Sequence, residues 1–222
     1  MLGSIAFIPD GNRRYAQKAR LSLAAAYHAG FDKARDVWTW SLDAGVKETT
    51  VWALSTENLQ RNPLELGVFM RLLDAKLNEL LKDKAISENG VRVNIVGRLS
   101  LLPKRVQATV AKIHSATAAN TAHVANICLG YGGRAEIVDA VNSLVAKRTP
   151  ITEQSLSQAL YTASEPDLIV RTGGTQRLSG FMPWQSTYSE LYFSEKLWPE
   201  FSRGDFDEAI VEYESRARRY GR

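Results

Sequence analysis

Cysteine is nearly absent from these 222 residues: Cys128 stands alone, which excludes an internal disulfide framework and any thiolate-based zinc cluster. Its neighbours are apolar, a setting in which cysteine is a small buried hydrophobe far more often than a nucleophile. Histidine is scarce as well, with His28, His114 and His123 scattered along the chain. No His-Glu-x-x-His, Gly-x-x-x-x-Gly-Lys-Ser/Thr, Gly-x-Gly-x-x-Gly or Gly-x-Ser-x-Gly segment occurs, so the common metalloprotease, P-loop, dinucleotide and serine-hydrolase machinery is missing. No apolar run approaches the ~20 residues that cross a bilayer, and the N-terminus has no charged n-region. The expectation is a cytoplasmic chain without membrane helix or signal peptide.

What is present reads as one globular domain over residues 1–222, 45% hydrophobic and 23% charged. The formal charge of +4 and pI near 9.2 suit a nucleic acid, an anionic membrane face or a phosphorylated small molecule, and charge alone does not choose. β-rich apolar runs at Ser4–Ile8, Thr49–Leu54, Val91–Val96, His123–Leu129, Leu168–Val170 and Glu190–Phe193 alternate with helical patterns over 22–44, 69–81, 103–117, 136–145 and 205–219. That alternation predicts an α/β fold with a mostly parallel six-stranded sheet flanked by helices. Glycines cluster at strand ends, at Asp10-Gly11-Asn12, Gly130–Arg134 and Arg171–Gly174. In open α/β sheets ligands bind outside the carboxyl ends of the strands, so three such turns suggest one shared site.

Asp10 presents a carboxylate at the end of the first strand, Gly11-Asn12 turns the backbone, and Arg13 and Arg14 open a helix. Helix-end amides with arginines favour a phosphate, and a carboxylate beside a phosphate suits a bridging Mg²⁺. The same turn is equally an Asp N-cap on a solvated helix. Arg171, Arg177 and Ser179 surround a glycine loop after another strand and suit a diphosphate, or are surface arginines on a flexible loop. Ser55, Glu57, Asn58 and Arg61 lie on a polar loop before Pro63 that either closes over a substrate or is turn and cap chemistry. The arginines sit at glycine turns, without a dense basic stripe interleaved with aromatics, which argues against nucleic acid.

Taken in order, Asp10-Gly-Asn-Arg-Arg, Ser55-Thr-Glu-Asn, Tyr131-Gly-Gly-Arg, Arg171-Thr-Gly-Gly-x-x-Arg177-x-Ser179, Trp184-Gln185-x-x-Tyr188-x-Glu190-Leu-Tyr-Phe and Leu197-Trp-Pro-Glu-Phe resemble the cis-prenyltransferases, the undecaprenyl diphosphate synthase family, over nearly the whole chain. The absence of any Asp-Asp pair separates it from the trans-type synthases. The resemblance implies a homodimer that joins an allylic prenyl diphosphate to isopentenyl diphosphate, with a hydrophobic tunnel between sheet and helices for the tail. It implies Asp10 and Asn58 as catalytic residues and Asp10 and Glu190 as Mg²⁺ ligands, the latter reaching across the dimer. Gly11, Asn12, Arg13 and Arg14 would bind the allylic diphosphate, Arg171, Arg177 and Ser179 the isopentenyl diphosphate, and Ser55, Glu57 and Arg61 the substrates from a mobile loop. Arg219 and Gly221 match a tail that reaches the partner's site. The product would partition toward membrane, with the enzyme peripheral to it. A non-catalytic partner subunit is the alternative, though such subunits tend to lose the Asp-Gly-Asn turn kept here.

The chain departs from the family pattern at Ser4 and Pro9 in the first motif, at Leu23 and Tyr27, where members carry a diphosphate-binding Arg and a His, and at Leu54 and Leu59, where aromatics are usual. His28 adjoins Tyr27, but one step around a helix turns a side chain by about 100°. These changes predict unusual or relaxed substrate choice.

Overall fold

The computed structural model describes residues 2–216; Arg219 and Gly221 lie outside them. Six strands, β1 (Ser4–Ile8), β2 (Glu48–Ser55), β3 (Val91–Val96), β4 (His123–Tyr131), β5 (Leu168–Arg171) and β6 (Glu190–Phe193), form one sheet in the order β3-β4-β2-β1-β5-β6. Every pairing is parallel. Helices cover both faces of such a sheet, so its central strands are apolar on both sides. Ile5, Ala6, Phe7 and Ile8 are accordingly all buried.

The helices are α1 (Asn12–Ala19), α2 (Leu23–Asp43), α3 (Pro63–Leu81), α4 (Lys84–Glu88), α5 (Lys104–Thr117), α6 (Gly133–Ala146), α7 (Glu153–Ala159) and α8 (Arg203–Ser215). Local chemistry fixes their starts: Ser22 Oγ accepts from the Ala25 amide, and the Asn62 side chain accepts from Leu64 N with Pro63 in the first turn. Capping boxes open α7 (Thr152 with Ser155) and α8 (Ser202 with Asp205). The sequence pattern starts the last helix at Asp205; the box moves the start back to Arg203, with Asp205 as its third residue.

One face of the sheet packs Leu73 and Leu77 of α3 and Val106, Val110 and Ile113 of α5 against Val93, Ile95 and Leu129. Near β1, Phe7, Trp198, Phe201 and Phe206 form an aromatic group, with Phe7 and Trp198 centroids 6.0 Å apart. The other face buries Cys128 with Ile8, Tyr131, Ile169 and Phe181, and burial pushes its thiol well above the ordinary range. That is the inert core role its neighbours predict. Among the described residues no helix is long and apolar enough to cross a membrane.

The connectivity decides where a ligand fits. From β1 the chain crosses to β2 on one side, whereas β5 and β6 lie on the other side of β1. Between β1 and β5 the strand order reverses, and at such a switch point the connections leave in opposite directions and open a crevice at the carboxyl ends. Asp10 follows β1 and Arg171 ends β5, so both stand at that crevice.

Candidate diphosphate cleft and apolar cavity

The turn after β1 is held by backbone and hydroxyl bonds. The Thr172 hydroxyl accepts from Asp10 N (3.0 Å) and donates to Asp10 O (2.8 Å), and Trp198 N also donates to Asp10 O (2.9 Å). Gly11 is the N-cap of α1 at φ 112, and a Cβ there would lie 2.9 Å from Leu197, so only glycine fits. No side chain caps α1, leaving its first amides for an anion.

Asp10 is thus not an N-cap. Its carboxylate is gripped from two sides: Arg14 Nη2 donates to Oδ1 (3.1 Å) and Arg171 Nη2 to Oδ2 (2.9 Å). Arg14 Nη1 also donates to Gly173 O (2.7 Å). Arg171 is buried, donates from Nη1 to Ser179 Oγ (2.8 Å) and to the Arg177 carbonyl, and its Nε has no partner among the described residues. Arg177 is exposed and donates from Nε to Ser179 Oγ (3.3 Å). The loop after β5 is therefore ordered onto β1 through Asp10, not a free surface loop.

Across the crevice, Ser55 ends β2, and its Oγ accepts from Asn58 N (3.1 Å), so the turn chemistry anticipated for this loop is real. It does not exclude a binding role, because Ser55, Glu57, Asn58 and Arg61 all line the same cleft of about 590 Å³ as Asp10 to Arg14, Arg171 and Ser179. Burial pushes the Glu57 carboxyl up, but bonds from its own amide and the Ser55 and Thr56 hydroxyls outweigh it and hold the group below the ordinary range. Tyr27 of α2 supplies a tie that sequence reading missed. Its hydroxyl donates to Glu65 Oε1 (2.6 Å) and accepts from Arg61 Nη1 (3.0 Å). Burial and the Glu65 bond push the phenol up to about 12. His28 pairs instead with Asp32 (2.9 Å), in line with its step around the helix.

Two predicted groupings come apart within the chain. Glu190 pairs in register with Leu168 at the amino end of β5, whereas Asp10 follows Ile8, whose partner is Arg171 at the carboxyl end. The two carboxylates thus occupy opposite ends of the sheet, and Glu190 is paired with Arg216 (2.8 Å). Among the described residues no group of three His, Cys, Asp or Glu side chains forms a metal cluster. Of the three glycine turns, Gly130–Arg134 does not line the cleft. It stands behind the Ser55 loop, where Thr56 N donates to Tyr131 O (3.1 Å) and a Cβ on Gly132 would lie 2.7 Å from Thr56 Oγ1.

At Ala53 the cleft meets a second, mainly apolar cavity of about 550 Å³. Its walls are Phe31, Ala34 and Trp38 of α2, Leu73, Leu77 and Leu80 of α3, and Val51, Ala125 and Ile127 of the sheet. A charged cleft beside an apolar cavity suits a ligand with a polyanionic head and a hydrocarbon tail.

The undecaprenyl diphosphate synthase family model matches residues 8–221. The chain is 44% identical to the tritrans,polycis-undecaprenyl-diphosphate synthase (geranylgeranyl-diphosphate specific) of Pyrobaculum aerophilum, over 98% of this chain and 95% of that one. It is 40% identical to an isoprenyl transferase of Thermus thermophilus, over 98% and 88%. The crystal structure of lavandulyl diphosphate synthase from Lavandula x intermedia in complex with dimethylallyl diphosphate superposes with a TM-score of 0.93 at 30% identity, covering 98% of this chain and 97% of that one.

Proposed function

The chain belongs to the undecaprenyl diphosphate synthase family of cis-prenyltransferases, and from that premise we propose that it joins an allylic prenyl diphosphate to isopentenyl diphosphate in a Mg²⁺-dependent condensation. One observation carries the reading: an arginine-lined cleft at the strand switch point lies beside an apolar cavity, with Ala53 lining both. The allylic diphosphate would lie on the α1 amides with Asn12, Arg13 and Arg14, and the isopentenyl diphosphate on Arg171, Arg177 and Ser179. Asn58 and Arg61 would close over both.

Breaking the allylic C–O bond leaves charge on the departing diphosphate, which the guanidinium groups and helix-end amides would receive. The isopentenyl double bond forms the new C–C bond and a proton leaves the adjacent carbon, restoring a double bond. Apolar walls keep water from the allylic centre. A hard carboxylate at an open cleft, even one shared with two arginines, fits Mg²⁺, which keeps waters and substrate phosphates as most of its ligands. Asp10 would hold it, and when bound it supplies Lewis-acid neutralisation of the leaving group. Glu190, paired with Arg216 at the other end of the sheet, would join only if a second copy of the chain brings it.

Primer choice follows the departures at Leu23 and Tyr27. The former stands at the start of α2 and offers no charge, and the latter spends its hydroxyl on Arg61 and Glu65. Together with the Pyrobaculum relative's named specificity, this favours a long primer recognised by its tail, geranylgeranyl diphosphate first. Purified protein given labelled isopentenyl diphosphate, Mg²⁺ and primers from dimethylallyl to geranylgeranyl diphosphate should extend the longest fastest and stop when the metal is chelated. Inertness toward every primer would overturn the reading.

A further inference from the structure

The charged cleft has an aromatic wall on the side that faces away from the apolar cavity. Successive strand residues point to opposite faces of a sheet. Ala53 packs with the α3 and α5 side and lines both cavity and cleft, whereas Trp52 packs with Ile8, Cys128 and Phe181 on the opposite face and lines the cleft alone.

Strand register puts Trp52 in line with the proposed isopentenyl diphosphate site. Phe7 pairs with Val51, which sets Ile8 beside Trp52, and Ile8 pairs with Arg171. Trp52, Ile8 and Arg171 thus form one row across β2, β1 and β5, two strand spacings or about 10 Å from end to end. That matches the reach of a diphosphate carrying a five-carbon group. At one end of the row Arg171 is buried and its Nε lacks a partner among the described residues, so it can still take an anion. At the other end the indole is pinned. Trp52 Nε1 donates to Tyr131 O (3.3 Å), Phe181 stacks on the ring with centroids 5.0 Å apart at 13°, and the Tyr131 ring meets it edge-on. A ring held by three contacts does not swing aside for a larger guest.

Resting on the reading above, we propose that Trp52 is specificity-determining for the acceptor: its ring is the end wall against which the five carbons of isopentenyl diphosphate lie, with the diphosphate on Arg171. Because Ala53 follows Trp52 on the strand, an alkene against that wall stands beside the cavity that would hold the allylic tail. Acceptor and tail lie on opposite faces of β2 and meet over its carboxyl end. An acceptor with one more methylene has to displace either the ring or its own diphosphate, and a close-packed wall resists the first.

Two acceptors test this, isopentenyl diphosphate and 3-ethylbut-3-enyl diphosphate, which carries one methylene more, each with geranylgeranyl diphosphate as primer. The parent should prefer the five-carbon acceptor by at least about tenfold in kcat/KM. Trp52→Phe and Trp52→Leu, verified as folded by thermal melting, should cut that preference to about twofold and raise KM for isopentenyl diphosphate several-fold. They should keep the parent's order of preference among primers, whose tails lie on the other face. A purely structural tryptophan would slow both acceptors alike and leave their ratio unchanged. A parent that uses both acceptors equally, or an unchanged ratio in either folded variant, overturns the acceptor wall alone and leaves the condensation reading standing. No prenyl transfer to either acceptor from any primer overturns both.

Discussion

Arg171 holds Asp10. The buried guanidinium of one, 6% exposed, meets the carboxylate of the other at 2.9 Å across the gap between β5 and β1. The pair joins the two halves of the cleft, so one contact aligns both proposed diphosphate sites and fixes the carboxylate proposed to hold Mg²⁺. Replacing Asp10 by Ala should lower turnover by about 10²–10³-fold and, by leaving Arg171 buried without its partner, cost roughly 1–3 kcal/mol of stability. Isopentenyl incorporation and a thermal melt measure the two effects separately. Full turnover in a folded variant would remove Asp10 from the chemistry.

Tyr27→Phe deletes only the hydroxyl that Arg61 and Glu65 share. The loop keeps its fold, because Ser55 still accepts from Asn58 N, but Arg61 loses its fixed position beside the cleft. A single hydrogen bond is worth about 1 kcal/mol, so KM for the allylic diphosphate should rise ~5-fold with kcat nearly unchanged. An equal fall in kcat and kcat/KM would instead mean that the hydroxyl acts in the transition state.

Gly30 of α2 sits against the turn that carries Asn12. A Cβ there would lie 2.3 Å from Asn12 Oδ1, while the Gly30 carbonyl accepts from Trp198 Nε1 at 2.8 Å. Gly30→Ala should therefore push Asn12 off its position and cost about 1–3 kcal/mol by overpacking. We expect a loss of prenyl transfer well beyond the loss of stability. Initial rates at a temperature where the variant is fully folded make the comparison.

Acid should weaken the fold through two histidines. Burial lowers the pKa of both His114 and His123. His114 Nε2 accepts from Ile95 N (2.8 Å), and His123 Nδ1 bonds Val46 O (2.8 Å). With folded values below the unfolded 6.5, the unfolded chain binds more protons. Stability from these groups is full above that pH and is lost as pH falls toward and through the lowered values. Urea midpoints should drop between pH 7.5 and 5, and His114→Gln with His123→Leu should flatten the drop. An unchanged slope would assign the acid sensitivity elsewhere.

The sheet was legible in the sequence because strands buried on both faces read as short apolar runs with no competing period. Helix α7 was not, since among its seven residues only Leu156 is buried. The Asp10 and Arg171 clusters were legible from glycine and arginine at strand ends. Their mutual grip was not, because it depends on β5 joining the far side of β1, a topological fact that residue spacing does not carry. The contacts of Thr172, Gly30 and Tyr27 escaped for a related reason. Each acts through another residue from a different element, and nothing in a hydroxyl or a helical glycine announces its partner. The turn chemistry of the Ser55 loop was legible, and it builds the surface that faces the cleft.

Wholly enclosed and with its thiol pushed up, Cys128 is closed to maleimides while the chain is folded. The enzyme therefore behaves as a thiol-free background. A single cysteine placed at exposed Gln60 would take a fluorophore or a spin label cleanly, turning the Ser55–Arg61 loop into a direct reporter of substrate arrival.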